Sequence, residues 1–154
     1  MKEISYVMIK PGFAHHPKVV KEIRKRINEA GLEITKSSYI KYTEEDAKKH
    51  YAEHVGKSFY PGLEEYITSD IAFGMVVEGE NAISTIRYMV EREKGKVQPG
   101  EIRYDIPMMI NEPIDRRRNV IHASDCVESA LNEIAVFDSI CEREASASTE
   151  PECE

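Results

Sequence analysis

Asn119-Val120-Ile121-His122-Ala123-Ser124-Asp125 is the stretch on which the reading of this chain turns. It predicts a short buried strand that runs into a helix start, with an imidazole at the turn. Asp125 reads as an N-cap, and Glu128 three residues later as the second half of a capping box. Val127, Ala130, Ile134 and Phe137 recur at helical spacing, so one face of this helix is expected to pack on a core. Glu133 lies just off that stripe, where its side chain can turn back toward His122. A neutral imidazole is nucleophilic near pH 7, because its ordinary pKa is about 6.5. A carboxylate on the second nitrogen would fix the tautomer and steady the positive charge that develops on attack. A lone histidine at a strand end is ordinarily structural, so the chemical reading rests on the whole string.

Working outward, Ile4 to Ile9 is apolar and β-branched enough for a central strand. Past Pro11-Gly12, Pro17 opens a helix with a stripe of Val20, Ile23, Ile27 and Ala30, stopped by Gly31. Leu32 to Tyr42 reads as a strand, and Thr43-Glu44-Glu45-Asp46 as a capping box for a helix through His54. Pro61-Gly62 introduces a short helix, Leu63 to Ile67. Ile71 to Val77 reads as a strand covered on both faces, and Ile83, Ile86 and Val90 mark another helix. A long polar connection, about Gly95 to Arg118, leads to the His122 strand. This order, without repeats, predicts an α+β sandwich: one sheet covered by helices.

The bulk composition narrows the class. With 154 residues, 41% hydrophobic and 32% charged, the chain fits one domain with a real core. It has no run of the roughly 18 apolar residues that a membrane helix needs, and Met1 to Tyr6 enters a strand pattern without the apolar segment of a signal peptide. A formal charge of −7 argues against a nucleic-acid binder. Cys126, Cys141 and Cys153 show no close pairing and read as reduced thiols, so a cytoplasmic setting is expected. Residues 1–142 form the expected domain, and the acidic stretch 143–154 is expected to be disordered.

The string from Asn119 to Ala130, with Glu133-Ile134-Ala135, resembles the active-site signature of nucleoside diphosphate kinases. Met8-Ile9-Lys10-Pro11 is similar to that family's first-strand motif, Lys49-His50-Tyr51 and Phe59-Tyr60-Pro61-Gly62-Leu63 to its nucleotide-binding helix pair, and Pro99-Gly100-Glu101-Ile102-Arg103 to its phosphate loop. The resemblance runs from about Ile4 to Phe137. It implies a ferredoxin-like fold with a four-stranded antiparallel sheet, and ping-pong transfer of a γ-phosphate between nucleotides through phospho-His122. It further implies that Lys10, Tyr51 and Arg103 contact the transferred phosphoryl group and that Arg87 holds the next phosphate. Phe59 would stack on the base, and Asn119 with Lys10 would bind the ribose. Ser124 would hydrogen-bond Glu133, which orients His122. Magnesium would enter through the nucleotide phosphates, with ATP, GTP and other nucleotides as substrates and a homo-oligomer as the assembly.

Two further readings have their own residues. His50-Tyr51-Ala52-Glu53-His54 fits H-x-x-E-H, a zinc-peptidase pattern with both imidazoles on one helix. A nucleotide-binding regulatory relative with weak or lost kinase activity is the other. Its support lies in departures from the family pattern. Val90-Glu91-Arg92-Glu93-Lys94-Gly95 stands where a Gly-x-Thr-Asn-Pro turn is usual, the connection from Arg103 to Asn119 is long, and Arg116 replaces an apolar residue against the base. The apolar run Pro107-Met108-Met109-Ile110 in that connection is expected to be buried, preferentially against another subunit.

Overall fold

The computed structural model describes residues 2–148. Its elements are β1 (Lys2–Ile9), α1 (Pro17–Glu29), β2 (Glu33–Ile40), α2 (Glu44–His50), α3 (Tyr60–Thr68), β3 (Ala72–Glu80), α4 (Ala82–Val90), α5 (Ile102–Met109), β4 (Ile121–Ala123) and α6 (Val127–Ser148). The sheet order is β2-β3-β1-β4, with every neighbouring pair antiparallel. This is the four-stranded, ferredoxin-like α+β arrangement expected from the sequence.

Because strand side chains alternate, β1 feeds two cores at once. Val7 and Ile9 join Val19, Ile23 and Ile27 of α1, Ile86 of α4 and Ile106 of α5 on one face. Tyr6 and Met8 join Ala47 of α2, Ile67 of α3 and Phe137 and Ile140 of α6 on the other. Burial on both sides explains the unbroken apolar run in β1. The register pairs Met8 with His122, so His122 shares the α2–α6 face while Ile121 and Ala123 enter the opposite core.

Local capping explains several boundaries. The Thr43 side chain accepts from Asp46 N–H, and Asp46 accepts from Thr43 N–H, so the expected capping box opens α2. That helix stops at His50 rather than His54. The box expected at Asp125 is absent: α6 begins at Val127, and the Asp125 carboxylate pairs instead with Arg87 at 2.6 Å. Val127 is correspondingly exposed, while Ala130 and Phe137 are buried as expected.

The supposed polar connection contains α5, which buries Ile102, Ile106 and Pro107. Met108 and Met109 are exposed in the single chain, which corrects any burial of the whole run in its own core. α6 continues through Ser148, past the boundary placed at 142, and Glu144 accepts from the Lys41 amide. Residues 149–154 of the acidic stretch lie outside the described residues. Among the described residues, no helix is long and apolar enough to cross a membrane.

Candidate active site

The sheet's short edge strand sets the position of His122. Just before it, Val120 has φ +74, and Ile121 N–H donates to Asn119 O at 2.8 Å across a γ-turn. A β-branched residue in the left-handed region is strained by about 1–3 kcal/mol, and the surroundings must hold it there. They do so with two contacts. Lys10 N–H donates to Val120 O at 2.7 Å, and Lys10 Nζ donates to Asn119 Oδ1 at 2.6 Å. The turn therefore brings Asn119 to the end of β1, 109 residues away in sequence.

Behind His122, α6 supplies the carboxylate. Glu133 Oε1 stands 2.9 Å from His122 Nε2, off the line that an Nε2–H bond would take. Ser124 Oγ donates to the same oxygen at 2.7 Å and accepts from Tyr6 N–H at 2.9 Å. The carboxylate is thus clamped from β1 through one hydroxyl. Burial holds Glu133 above the usual carboxylate range, while His50 and Ser124 work in the other direction.

Burial pushes His122 down to about 3, and the positive charges of Lys10, Arg103 and Arg87 act in the same sense. The imidazole is therefore neutral at pH 7, with its lone pair available. His50 is also pushed down to about 3 by burial and by His122, whose ring lies 4.7 Å away. Tyr6, Tyr42 and Tyr51 close the other sides of His50 with edge-on ring contacts. The end of α2 at His50 also undoes the H-x-x-E-H reading, because His50 and His54 do not share a helix face. The donor atoms of His50, His122 and Glu133 lie within 4.8 Å of one another.

The cations gather around the same histidine. Lys10 is buried, and burial with Arg103 nearby lowers its pKa to about 7. Arg87, on α4, donates to Ala123 O at 3.2 Å. Arg103, on α5, donates through Nε to Asn119 O at 3.2 Å and through Nη2 to Ile121 O at 3.0 Å, while Nη1 meets Glu91 at 2.8 Å. The carbonyls of the γ-turn and of β4 thus aim this guanidinium.

Two cavities border this region. One of about 390 Å³ is lined by Tyr51, Arg87, His122, Asp125 and Glu133. A second, of about 860 Å³, lies between Phe59, Leu63, Tyr66 and the run Arg116 to Asn119. Phe59 is half exposed and presents its ring to this second cavity. Tyr51, Phe59, Arg87, Asn119, His122 and Glu133 line one or other of these cavities, Lys10 and Arg103 meet the strand that carries His122 through Asn119 and Ile121, and Ser124 is buried behind Glu133. Sequence reasoning missed Tyr66, whose ring lies under both Lys10 and Arg118, and Glu91, whose pairing with Arg103 follows from a helix that the sequence had hidden.

The chain is similar to known proteins over most of its length. The family model described as nucleoside diphosphate kinase matches residues 3–141. A nucleoside diphosphate kinase of Listeria monocytogenes serotype 4a is 43% identical over 136 residues, covering 88% of each chain. The Aquifex aeolicus nucleoside diphosphate kinase structure superposes with a TM-score of 0.77 at 30% identity, over 89% of this chain and 95% of that one. A halophilic nucleoside diphosphate kinase from Halobacterium salinarum, solved in complex with CDP, gives 0.76 at 34% identity, over 89% and 88%. The chain belongs to the nucleoside diphosphate kinase family.

Proposed function

We propose that this chain moves the γ-phosphate of a nucleoside triphosphate to a nucleoside diphosphate through a phosphohistidine at His122. The observation that carries the reading is a neutral, partly exposed imidazole with Glu133 at Nε2 and three cations near it. With Nε2 facing Glu133, Nδ1 is the nitrogen left to attack. In the first half-reaction an Nδ1–P bond forms, the bridging P–O bond breaks, and its electron pair leaves with the diphosphate. The second half-reaction reverses this onto a different diphosphate. Glu133 stabilises the positive imidazole that exists only while the ring carries the phosphoryl group.

Lys10, Tyr51 and Arg103 bind the transferred group in this reading, and Arg87 the phosphate behind it. Phe59 offers a ring face to the base; stacking accepts any base, which supports a broad nucleotide range. Asn119 and Lys10 bind the ribose hydroxyls. The groups around the phosphate path are mainly cationic, so they fit magnesium carried on nucleotide oxygens rather than in a protein cage. When bound, the ion neutralises part of the phosphate charge. Exposed Met108 and Met109 support assembly into a homo-oligomer, and the expected location is cytoplasmic.

The test is direct. Incubation with γ-labelled ATP should leave an acid-labile, base-stable label on the parent, which ADP or GDP then discharges. A protein that binds nucleotide but takes no label would be a regulatory relative.

A further inference from the structure

Arg87, Arg92, Lys94 and Arg103 line a cavity of about 430 Å³ in which Glu91 is the single acid. Glu91 is the residue after α4, at the turn where this chain departs from its family's usual pattern. Its carboxylate meets Arg103 Nη1 at 2.8 Å and also accepts from the Gly95 amide. Both partners are substantially shielded, with side-chain exposures of 24% for Arg103 and 10% for Glu91. The contact is therefore little screened by water.

The Arg87–Asp125 pair behaves differently, since those side chains are 49% and 72% exposed. Water and salt weaken that pair, and phosphate can displace it cheaply. Arg103 has five N–H groups. Two hold backbone carbonyls, one holds Glu91, and two remain for a ligand. A phosphoryl group arriving at Arg103 meets both a partly occupied guanidinium and a neighbouring negative charge.

We propose that Glu91 acts as an internal anion competing with the nucleotide's terminal phosphate for Arg103, and so sets nucleotide affinity and release. Like charges at close range oppose each other most where burial limits screening. The carboxylate then raises the dissociation constant and speeds departure of the nucleotide by returning to Arg103. The effect should be larger for a triphosphate than for a diphosphate, because Arg103 faces the transferred group. This inference rests on the proposed phosphate role of Arg103.

The experiment compares the parent, Glu91→Gln and Arg103→Gln. Calorimetry would measure binding of Mg-ADP and of the β,γ-imido analogue of Mg-ATP, and stopped flow with a fluorescent analogue would measure release. Gln retains an acceptor for the Gly95 amide while removing the charge. Glu91→Gln should bind the imido analogue about three- to tenfold more tightly, gain less for ADP, and release the fluorescent nucleotide more slowly. Unchanged or weaker binding by Glu91→Gln, beside a clear loss in Arg103→Gln, would overturn the competition and leave the phosphate role of Arg103 standing. Parental affinity in Arg103→Gln would overturn that role, and the inference with it. Failure of both Glu91→Gln and Glu91→Ala to fold would show a structural clamp instead, which also overturns the proposal.

Discussion

Glu133 reaches His122 with an oxygen that Ser124 already holds: Oε1 is 2.7 Å from the Ser124 hydroxyl and 2.9 Å from His122 Nε2. That carboxylate atom therefore stands between His122 and β1, because Ser124 also accepts from the Tyr6 amide. Removing the charge at Glu133 should leave this scaffold in place. Glu133→Gln is expected to fold and to slow phosphoryl transfer by roughly 10- to 1,000-fold, while His122→Gln abolishes the phosphoenzyme. Rapid-quench measurement of label uptake checks both; parental uptake in Glu133→Gln would make that acid a spectator.

The neighbouring imidazoles of His50 and His122 also make the fold sensitive to acid. His50 and His122 are pushed down to about 3 in the folded chain, against about 6.5 in the unfolded chain. Between those values the unfolded state binds more protons, so stability is full above about pH 6.5 and falls as pH drops. Two protons correspond to a slope of about 2.7 kcal/mol per pH unit. The raised pKa of Glu133 acts in the opposite sense and reduces the net slope. Urea unfolding at pH 7, 6 and 5 should show the decline, and His50→Gln should flatten it.

Lys10 gives nucleotide binding its own pH dependence. Its pKa in the empty site is lowered to about 7, and phosphate binding requires the charged form. Above pH 7, binding must draw a proton from solution, so affinity should weaken by up to about tenfold per pH unit. Calorimetry at pH 8 in buffers of different ionisation enthalpy should show uptake approaching one proton per nucleotide. No uptake would mean that Lys10 already carries its charge when the site is empty.

Gly74 on β3 faces the helix that carries Glu133. A Cβ there would lie 2.5 Å from one Phe137 ring carbon and 2.7 Å from the Tyr6 hydroxyl. Both groups are fully buried, so neither can move without displacing its neighbours. Gly74→Ala should destabilise by about 1–3 kcal/mol and lower activity beyond that loss, because Phe137 is one helical turn from Glu133. Thermal unfolding and turnover of the folded fraction separate the two effects.

The central strand, the α2 capping box and the cluster around His122 were legible because each rests on a local pattern. Apolar residues run consecutively through the end of β1, Thr43 and Asp46 reciprocate across three positions, and a long motif surrounds His122. What escaped depends on contacts between distant segments. Asp125 has the right chemistry for an N-cap, yet Arg87 from α4 claims it. α5 escaped because Pro107 falls inside it, and proline ordinarily argues against a helix interior. With α5 hidden, nothing in the sequence could seat Arg103 beside Glu91.

The Tyr6–Ser124 hydrogen bond joins residues 118 positions apart, and the Lys10–Asn119 bond spans 109. Closing loops of that size costs entropy before any contact repays it, so these bonds form late during folding. Helices and the shorter-range β2–β3 pairing can appear while His122 still lacks its support. During refolding, recovery of phosphoryl transfer should therefore lag behind recovery of helical circular dichroism. Catalysis then reports something that spectroscopy of secondary structure cannot: the moment when the two ends of the chain have found each other.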